Sequence, residues 1–364
     1  MVVTKQVGIK DVAVAAGVSV TTVSHVLNDV PNTRASEQTR DRVKAAATAL
    51  GYRPNRLARS LRTQMSEMVG LVTEEIATTP HAGQIILGAQ EAASKRDLVL
   101  TIINARLNPR PRVGADEIRA LIERQVDGVI YATVFHDVVS LPKEMNSVPS
   151  VLIGAQDRAG RIPSVVPDER GGAASVVEML AASGHLRIGF LASAVDVPAT
   201  RGRYAGYCEA MAAAGLTAEE MVVAAEPEAS GGYLAAGQLL AREPAQRPTA
   251  MFCYNDRMAV GAYRAASECG LRIPDDVSIV GFDDQAPIPE SLFPALTTVT
   301  LPHYDMGAWA VNTLAEMMVE RKQPERVSSY PVQLPCPIAA RGSVAPPHSA
   351  GGHSRTPRFN GEVD

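Results

Sequence analysis

No stretch of this chain approaches the roughly 20 consecutive apolar residues that a bilayer-spanning helix needs, and its start has no apolar segment followed by a small-residue cleavage site. A cytoplasmic protein with no membrane partner is therefore expected. Cysteine is scarce: Cys208, Cys253, Cys269 and Cys336 are widely spaced, with no CxxC pair. That excludes a disulfide framework and a zinc knuckle. A Gly-rich phosphate loop, a GxSxG elbow and a metal-spaced His or Cys cluster are also missing, so no enzyme, cofactor or metal site is expected.

What the chain does have is length and an uneven charge. Its 364 residues, 46% hydrophobic and 20% charged, leave room for two or three domains. The formal net charge is -4, yet residues 1–64 hold ten Lys or Arg against four Asp or Glu. Basic charge is concentrated in the head, and the remainder is acidic.

From Ile9 to about Gly51 three short helical patterns occur without a strand. In "IKDVAVAAG" the residues Ile9, Val12, Ala13 and Ala16 share a face, and Gly17 suits the end of a helix. Ser19 can cap the next helix, in which Val23, Val26 and Leu27 repeat at helical spacing. The third, opened by Ser36, is expected to bury Val43, Ala46, Ala47 and Leu50. Helix, tight turn and helix follow at the spacing of a helix-turn-helix, in a unit too small for high stability alone. With Val23, Val26 and Leu27 inward, Val20, Thr21, Ser24 and His25 face outward. Thr and His can hydrogen-bond base edges, and a valine methyl suits a thymine methyl in the major groove. Similar short helices with a glycine elbow occur in many enzymes, so the periodicity alone leaves both readings open.

Next, "RPNRLARSLRTQ" (53–64) carries four arginines, with Leu57 and Leu61 its only large apolar groups. So short a helix is marginal in water. It reads as a linker that folds when held, or as a solvated segment with both leucines docked on the following domain. Beyond Met68 apolar runs alternate with helical stretches: "MVGLVTEE", "LVLTIINA", "VDGVIYATV", "PSVLIGA", "RIGFLAS", "TAMFCYND" and "VSIVGFDD". Such runs indicate parallel sheets covered on both faces. The series occurs twice, which predicts two doubly wound lobes facing a cleft. Arg203 in "ATRGRYAGY", Asn255 in "CYND" and Asp283 in "GFDD" lie near strand ends, where open parallel sheets bind ligands. A guanidinium fork, an amide and a carboxylate together suit a polyhydroxylated ring. Each has a plainer alternative: Asn255 and Asp256 as helix caps, Asp283 as a turn residue, Arg203 as half of a surface pair. From Ser343 the composition is that of disorder.

"GIKDVAVAAGVSVTTVSHVLN", followed by "TRDRVKAAATALGYRPNRLARSLRT", resembles the DNA-binding head of the lactose/galactose repressor (LacI/GalR) family over almost all of residues 8–63. In that family the residues matching Val20, Thr21 and His25 face bases, and those near Thr22 and Ser24 support backbone contacts. Many members have arginine in place of His25, whereas the purine-repressor branch has histidine. The loop "DVPNTRASEQ" is about two residues longer than is common, so its contacts do not carry over. The resemblance further implies that the segment matching Asn55 to Leu61 becomes a hinge helix when a dimer binds DNA, with Leu61 wedged into the minor groove at a central CpG step. The remainder is similar to the family's periplasmic-sugar-binding-like core. Its effector positions match Arg203, Asn255 and Asp283, with Glu74 nearby. Two departures stand out: "TTPHAGQ" places His81 and Ala82 where aromatic rings often stack, and Gly154 stands where aspartate is common.

The expected fold is a small all-α helix-turn-helix head plus an α/β periplasmic-binding-protein-like core of two doubly wound parallel-sheet lobes. Boundaries are expected at 1–53 (head), 54–67 (hinge and linker), 68–342 (core) and 343–364 (disordered tail). The expected function is a ligand-responsive transcriptional regulator, read as a repressor, that binds palindromic double-stranded operator DNA as a homodimer, with a tetramer left open, and responds to a sugar-like small-molecule effector. DNA binding is assigned to Ser19, Val20, Thr21, Thr22, Ser24, His25, Asn55, Arg56, Leu57 and Leu61, and effector binding to Glu74, Arg203, Asn255 and Asp283. The alternative is a sugar-binding solute receptor for uptake, which the basic head and the missing signal peptide oppose.

Overall fold

The structure is a computed structural model that describes residues 7–28, 30, 33–52, 65–74, 79, 83–105, 115–217, 221–320 and 331–347. Two compact units divide the chain, residues 1–66 and 67–364. Asn55, Arg56, Leu57 and Leu61 lie outside the described residues, as do His81 and Ala82.

The first unit contains α1 (Ile9–Ala16), α2 (Val20–Leu27) and α3 (Glu37–Ala49). Val12, Ala13 and Ala16 of α1, Val23 and Val26 of α2, and Val43 and Ala47 of α3 form its buried core. These are the small and β-branched residues at helical spacing, so three thin helices pack closely without a large side chain. Helix starts are fixed by hydroxyls: Ser19 Oγ accepts from Thr22 N at 3.0 Å, and Ser36 Oγ from Thr39 N at 3.3 Å. One core assignment is corrected. Leu50 is 38% exposed, because α3 ends before it and the turn bonded from Tyr52 N to Ala47 O at 2.9 Å brings Tyr52 over the core instead.

In the second unit the described strands form two six-stranded sheets. The first joins β1 (Met68–Glu74), β2 (Val99–Ala105), β3 (Gly128–Val139), β4 (Ser150–Asp157), β5 (Ser164–Pro167) and β11 (Val332–Leu334), in the order β11-β5-β4-β3-β1-β2. The second joins β6 (Ile188–Ser193), β7 (Val222–Ala225), β8 (Ala250–Cys253), β9 (Ser278–Asp283), β10 (Thr297–Thr300) and β12 (Ile338–Ala339), in the order β12-β10-β9-β8-β6-β7. Pairing is parallel throughout except between β10 and β12. The two orders repeat one doubly wound pattern, in which the chain reverses direction across the sheet after its second strand.

Helices cover the sheets: α4 (Gly83–Ser94) and α5 (Ala115–Ile122) on the first lobe, α6 (Glu169–Ala182), α7 (Pro198–Ala213), α8 (Ala229–Leu240) and α9 (Asp256–Glu268) on the second, with a short α10 (Ile288–Ser291). After β10 the chain returns to the first lobe as α11 (His303–Glu320), which packs on α4 and on β3 to β5. The α4–α11 crossing is tight. A Cβ at Gly88 would overlap the Tyr304 carbonyl oxygen, and one at Gly307 the Ile85 carbonyl oxygen. Among the described residues no helix is long and apolar enough to cross a membrane.

The ordered chain runs past the expected tail boundary at Ser343. Ser343 Oγ donates to Ile279 O at 2.6 Å and accepts from Thr297 N at 2.8 Å, while Ala345 N donates to Ser278 Oγ at 3.1 Å. His185, buried, holds the same segment: Ala345 O can only accept, so Nε2, 2.9 Å away, carries the ring proton, and Nδ1 faces Thr249 Oγ1 at 3.0 Å. Burial lowers the His185 pKa and keeps the ring neutral.

Because the α4–α11 contact is backbone against backbone, Gly88→Ala is expected to lower the unfolding free energy by about 1–3 kcal/mol, read by urea denaturation. Wild-type stability would show that the two helices separate freely.

Candidate functional site

The recognition-helix candidate α2 presents the expected face. Val20 (39% exposed) and Thr21 are exposed, and Thr22, Ser24 and His25 are half-buried. Ser19 and Thr22 spend part of their hydrogen-bonding capacity on each other, with their hydroxyl oxygens 2.9 Å apart. Asn28 Nδ2 donates to Ser24 O at 2.7 Å, which closes the helix at its other end.

The second unit has its polar centre between the two lobes, at the carboxyl ends of the strands. Arg203, on the second turn of α7, is 4% exposed. Its Nε donates to Glu169 Oε2 at 2.6 Å, Nη2 to Asp283 Oδ1 at 3.0 Å, and Nη1 to the Tyr254 carbonyl. The guanidinium also lies 3.7 Å from the Phe282 ring centroid and 4.5 Å from that of Tyr254. Phe282 ends an aromatic series in which Phe252 is 6.2 Å from Phe282 and 4.8 Å from Phe190, itself stacked on Tyr207 at 5.1 Å. The sheet core therefore sets the height of the guanidinium.

Around it, Asn255 caps α9: its Oδ1 accepts from Met258 N at 2.8 Å, and its Nδ2 donates to Pro227 O at 3.0 Å. Asp283 terminates β9 at φ 106, in the left-handed region costly for a non-glycine residue. The first lobe contributes through a bulge. The β3–β4 register jumps between Ala132↔Ile153 and Asp137↔Ala155, so residues 133–136 stand opposite Gly154 alone. Gly154 has φ +66, and a Cβ there would stand 2.9 Å from the Thr133 carbonyl oxygen. The bulge carries Phe135 and His136 to the cleft, which Ile85, Pro167, Leu301 and Met306 also line.

Charge in this site is finely divided. Burial works against the Arg203 charge, but Glu169 and Asp283 more than offset it and raise its pKa. Burial pushes Asp283 up to about 6 despite the neighbouring guanidinium, because Arg203 is shared with Glu169. Asp256, one residue after the cap, is pushed up to about 8 by burial and by Asp283; it accepts from Thr298 Oγ1 and Gln285 N, each at 2.6 Å. Desolvation lowers the His136 pKa, and its Nδ1 is buried with no hydrogen-bond partner among the described residues. Among the described residues no cluster of His, Cys, Asp or Glu is arranged to hold a metal ion.

Comparisons with known proteins place this geometry. Residues 8–55 match the family of bacterial regulatory proteins, lacI family, and residues 177–344 match a periplasmic binding protein-like domain. The HTH-type transcriptional regulator GalR of Escherichia coli (strain K12) is 33% identical over 96% of this chain and 98% of its own length. The chain belongs to the lacI family of bacterial regulatory proteins. Two solved structures of related chains carry the fold match. The lac repressor dimer bound to operator and the anti-inducer ONPF aligns at a TM-score of 0.72 and 27% identity, covering 94% of this chain and 100% of that one. The complex of the transcriptional regulator CelR with cellobiose aligns at 0.61 and 29%, covering 93% and 100%. This lacI-family chain is thus a transcriptional regulator with a helix-turn-helix and a two-lobed α/β core, and the solute-receptor alternative is not favoured.

Of the residues singled out from the sequence of this lacI-family protein, Arg203, Asn255 and Asp283 all line one cleft. Glu74 ends β1. The plainer alternatives are partly realised: Asn255 does cap a helix, whereas Arg203 is buried rather than half of a surface pair. The fork expected to be open is largely engaged by Glu169, Asp283 and Tyr254. Sequence reasoning missed Glu169, Tyr254, Phe282 and His136. Glu169 had a weak signal, since "PDER" places an acidic residue in the first turn of a helix, behind the cap made by Asp168 Oδ1 to Gly171 N at 2.8 Å.

Arg203→Met leaves two buried carboxylates without a counter-charge and is expected to lower the unfolding free energy by about 3–5 kcal/mol at pH 7.5. Asp283 has a raised pKa in the folded state, and removing the cation raises it further. On acidification the folded variant therefore binds more protons than its unfolded chain, and the penalty shrinks toward pH 5. Urea titrations at both pH values check this; an equal penalty would mean that Asp283 stays ionised.

Proposed function

We propose that this regulator is a cytoplasmic repressor, without catalytic activity, that binds a palindromic operator as a homodimer and releases or tightens it when a neutral, sugar-like effector enters the interlobe cleft. Ser19, Val20, Thr21, Thr22, Ser24 and His25 would meet DNA in the major groove, with Thr21 and His25 reading base edges. Asn55, Arg56, Leu57 and Leu61 would form the hinge, with Leu61 as the minor-groove wedge. Twofold symmetry of the protein then implies inverted half-sites. Glu74, Arg203, Asn255 and Asp283 would bind the effector.

The observation that carries the effector part is the Arg203 cluster. Two carboxylates meet the Arg203 guanidinium, with an amide beside them, and the second guanidinium lining the cleft, Arg257, is paired with Glu228 at 2.8 Å. No excess positive charge is therefore left for an anionic ligand, while hydroxyl groups can both donate to carboxylates and accept from a guanidinium. An effector changes operator affinity only by binding two arrangements of the lobes unequally.

Enrichment from a random-sequence duplex library with the full-length protein is expected to return an inverted repeat. Leu61→Ala should weaken binding to that repeat at least tenfold while changing binding to unrelated duplex much less; equal losses on both would remove the wedge. Once titration calorimetry over a panel of neutral mono- and disaccharides has found a ligand, Asp283→Asn should bring the ratio of operator affinities with and without it close to one. A ratio equal to the wild type's would remove Asp283 from the effector site.

A further inference from the structure

The loop between α2 and α3 borders a concave surface. Ten of the described residues line that surface, six of them with hydroxyl side chains, and none of the ten is a carboxylate. Ser19, Thr21 and His25 line one side, from α2; Ser36 and Thr39 line the other, from α3. Thr33 and Arg34 complete it from the loop. Two local bonds hold Thr33: its Oγ1 donates to Val30 O at 2.6 Å, and Arg40 Nη2 donates to its carbonyl oxygen at 3.5 Å. Arg34 itself is exposed and has no hydrogen bond or ion pair among the described residues.

An exposed guanidinium that no carboxylate neutralises, beside a hydroxyl-rich hollow, suits a partner bearing anionic oxygens. The hollow is continuous with the outward face of α2, because Thr21 and His25 belong to both. A ligand lying on that face must therefore pass the loop. We propose that Arg34 is a DNA-backbone clamp: when α2 enters the major groove, its guanidinium neutralises one phosphate per protomer, beside the hydroxyls of Ser36 and Thr39. Phosphate contacts fix orientation and carry no base information, so Arg34 adds affinity to every sequence alike. This inference rests on the reading of the chain as an operator-binding dimer.

Counterion release provides the test. Each neutralised phosphate contributes a slope of about -0.9 to log K against log salt. Binding of the full-length protein to the enriched inverted-repeat duplex, and to single-base variants of it, is measured by fluorescence anisotropy between 50 and 200 mM KCl. Arg34→Ala is expected to flatten the slope by about 1.8 per dimer, so that the wild type's advantage shrinks about twelvefold over that range. The loss should be the same on every base variant, and Arg34→Lys should restore most of the slope. Because Arg34 is exposed and unpaired, thermal melts of the three proteins should coincide, which separates lost contact from lost fold. An unchanged slope in Arg34→Ala, or a loss that depends on base sequence, overturns the clamp while leaving the regulator reading intact. A wild-type protein that binds no duplex in a salt-dependent way overturns both.

Discussion

A guanidinium removed from water stays charged only if its surroundings replace the hydration it has lost. In this protein that condition organises the second lobe. Arg203 on α7 is met by Glu169 from the start of α6, by the Tyr254 carbonyl at the end of β8 and by Asp283 at the end of β9. Two aromatic rings cover its faces. Four separate elements are thus required to end at one point, and a shift of any of them would leave a buried charge unpaired. Asp283 accepts a left-handed backbone to keep that position, which is strain held at a site rather than in a turn.

Among the described residues the first lobe brings no comparable charge cluster to the cleft. It offers a bulge bearing Phe135 and His136 together with apolar side chains from α4 and α11. Among the described residues the paired charges lie on the second-lobe side, and the first-lobe side mixes Phe135, Ile85 and Met306 with Thr133 and His136. Because the chain returns to the first lobe as α11 and β11 and then re-enters the second as β12, the lobes are joined by more than one crossing of the chain, and a ligand that draws them together must act on packed units rather than on a loop. Packed units have few alternative arrangements, which is the property a two-state response needs.

The longer strands were legible because seven apolar runs stood between helical stretches, and the helix starts at Ser19 and Ser36 because capping is a local matter. The short strands β5, β7, β10, β11 and β12 were not; of the described strands of four residues or fewer, only β8 was read, through the run "TAMFCYND". The bulge in β3 hid as well: "VFHDVV" breaks the alternation where the chain leaves register. Ser343 and Ala345 were assigned to a disordered tail from a composition averaged over 22 residues, whereas their order comes from a few bonds to Ile279, Thr297, Ser278 and His185. At the site, the identities of Arg203, Asn255 and Asp283 could be read, but not their pairing. Glu169 lies 34 residues from Arg203, and nothing local links them.

The gap in pairing matters for the chemistry. An arginine read in isolation is a free fork that invites an anion; the same arginine held by two carboxylates carries no net positive charge as a cluster and favours a ligand with exchangeable hydroxyls. The head shows the opposite arrangement: among the described residues an arginine without an ion pair stands beside hydroxyls, and none of those lining the hollow is a carboxylate. With excess basic charge confined to residues 1–64 of an otherwise acidic chain, long-range attraction to a polyanion acts on the head and is opposed elsewhere. The division of labour between the two units is therefore written in the contrast between Arg203, paired in the second unit, and Arg34, exposed in the first.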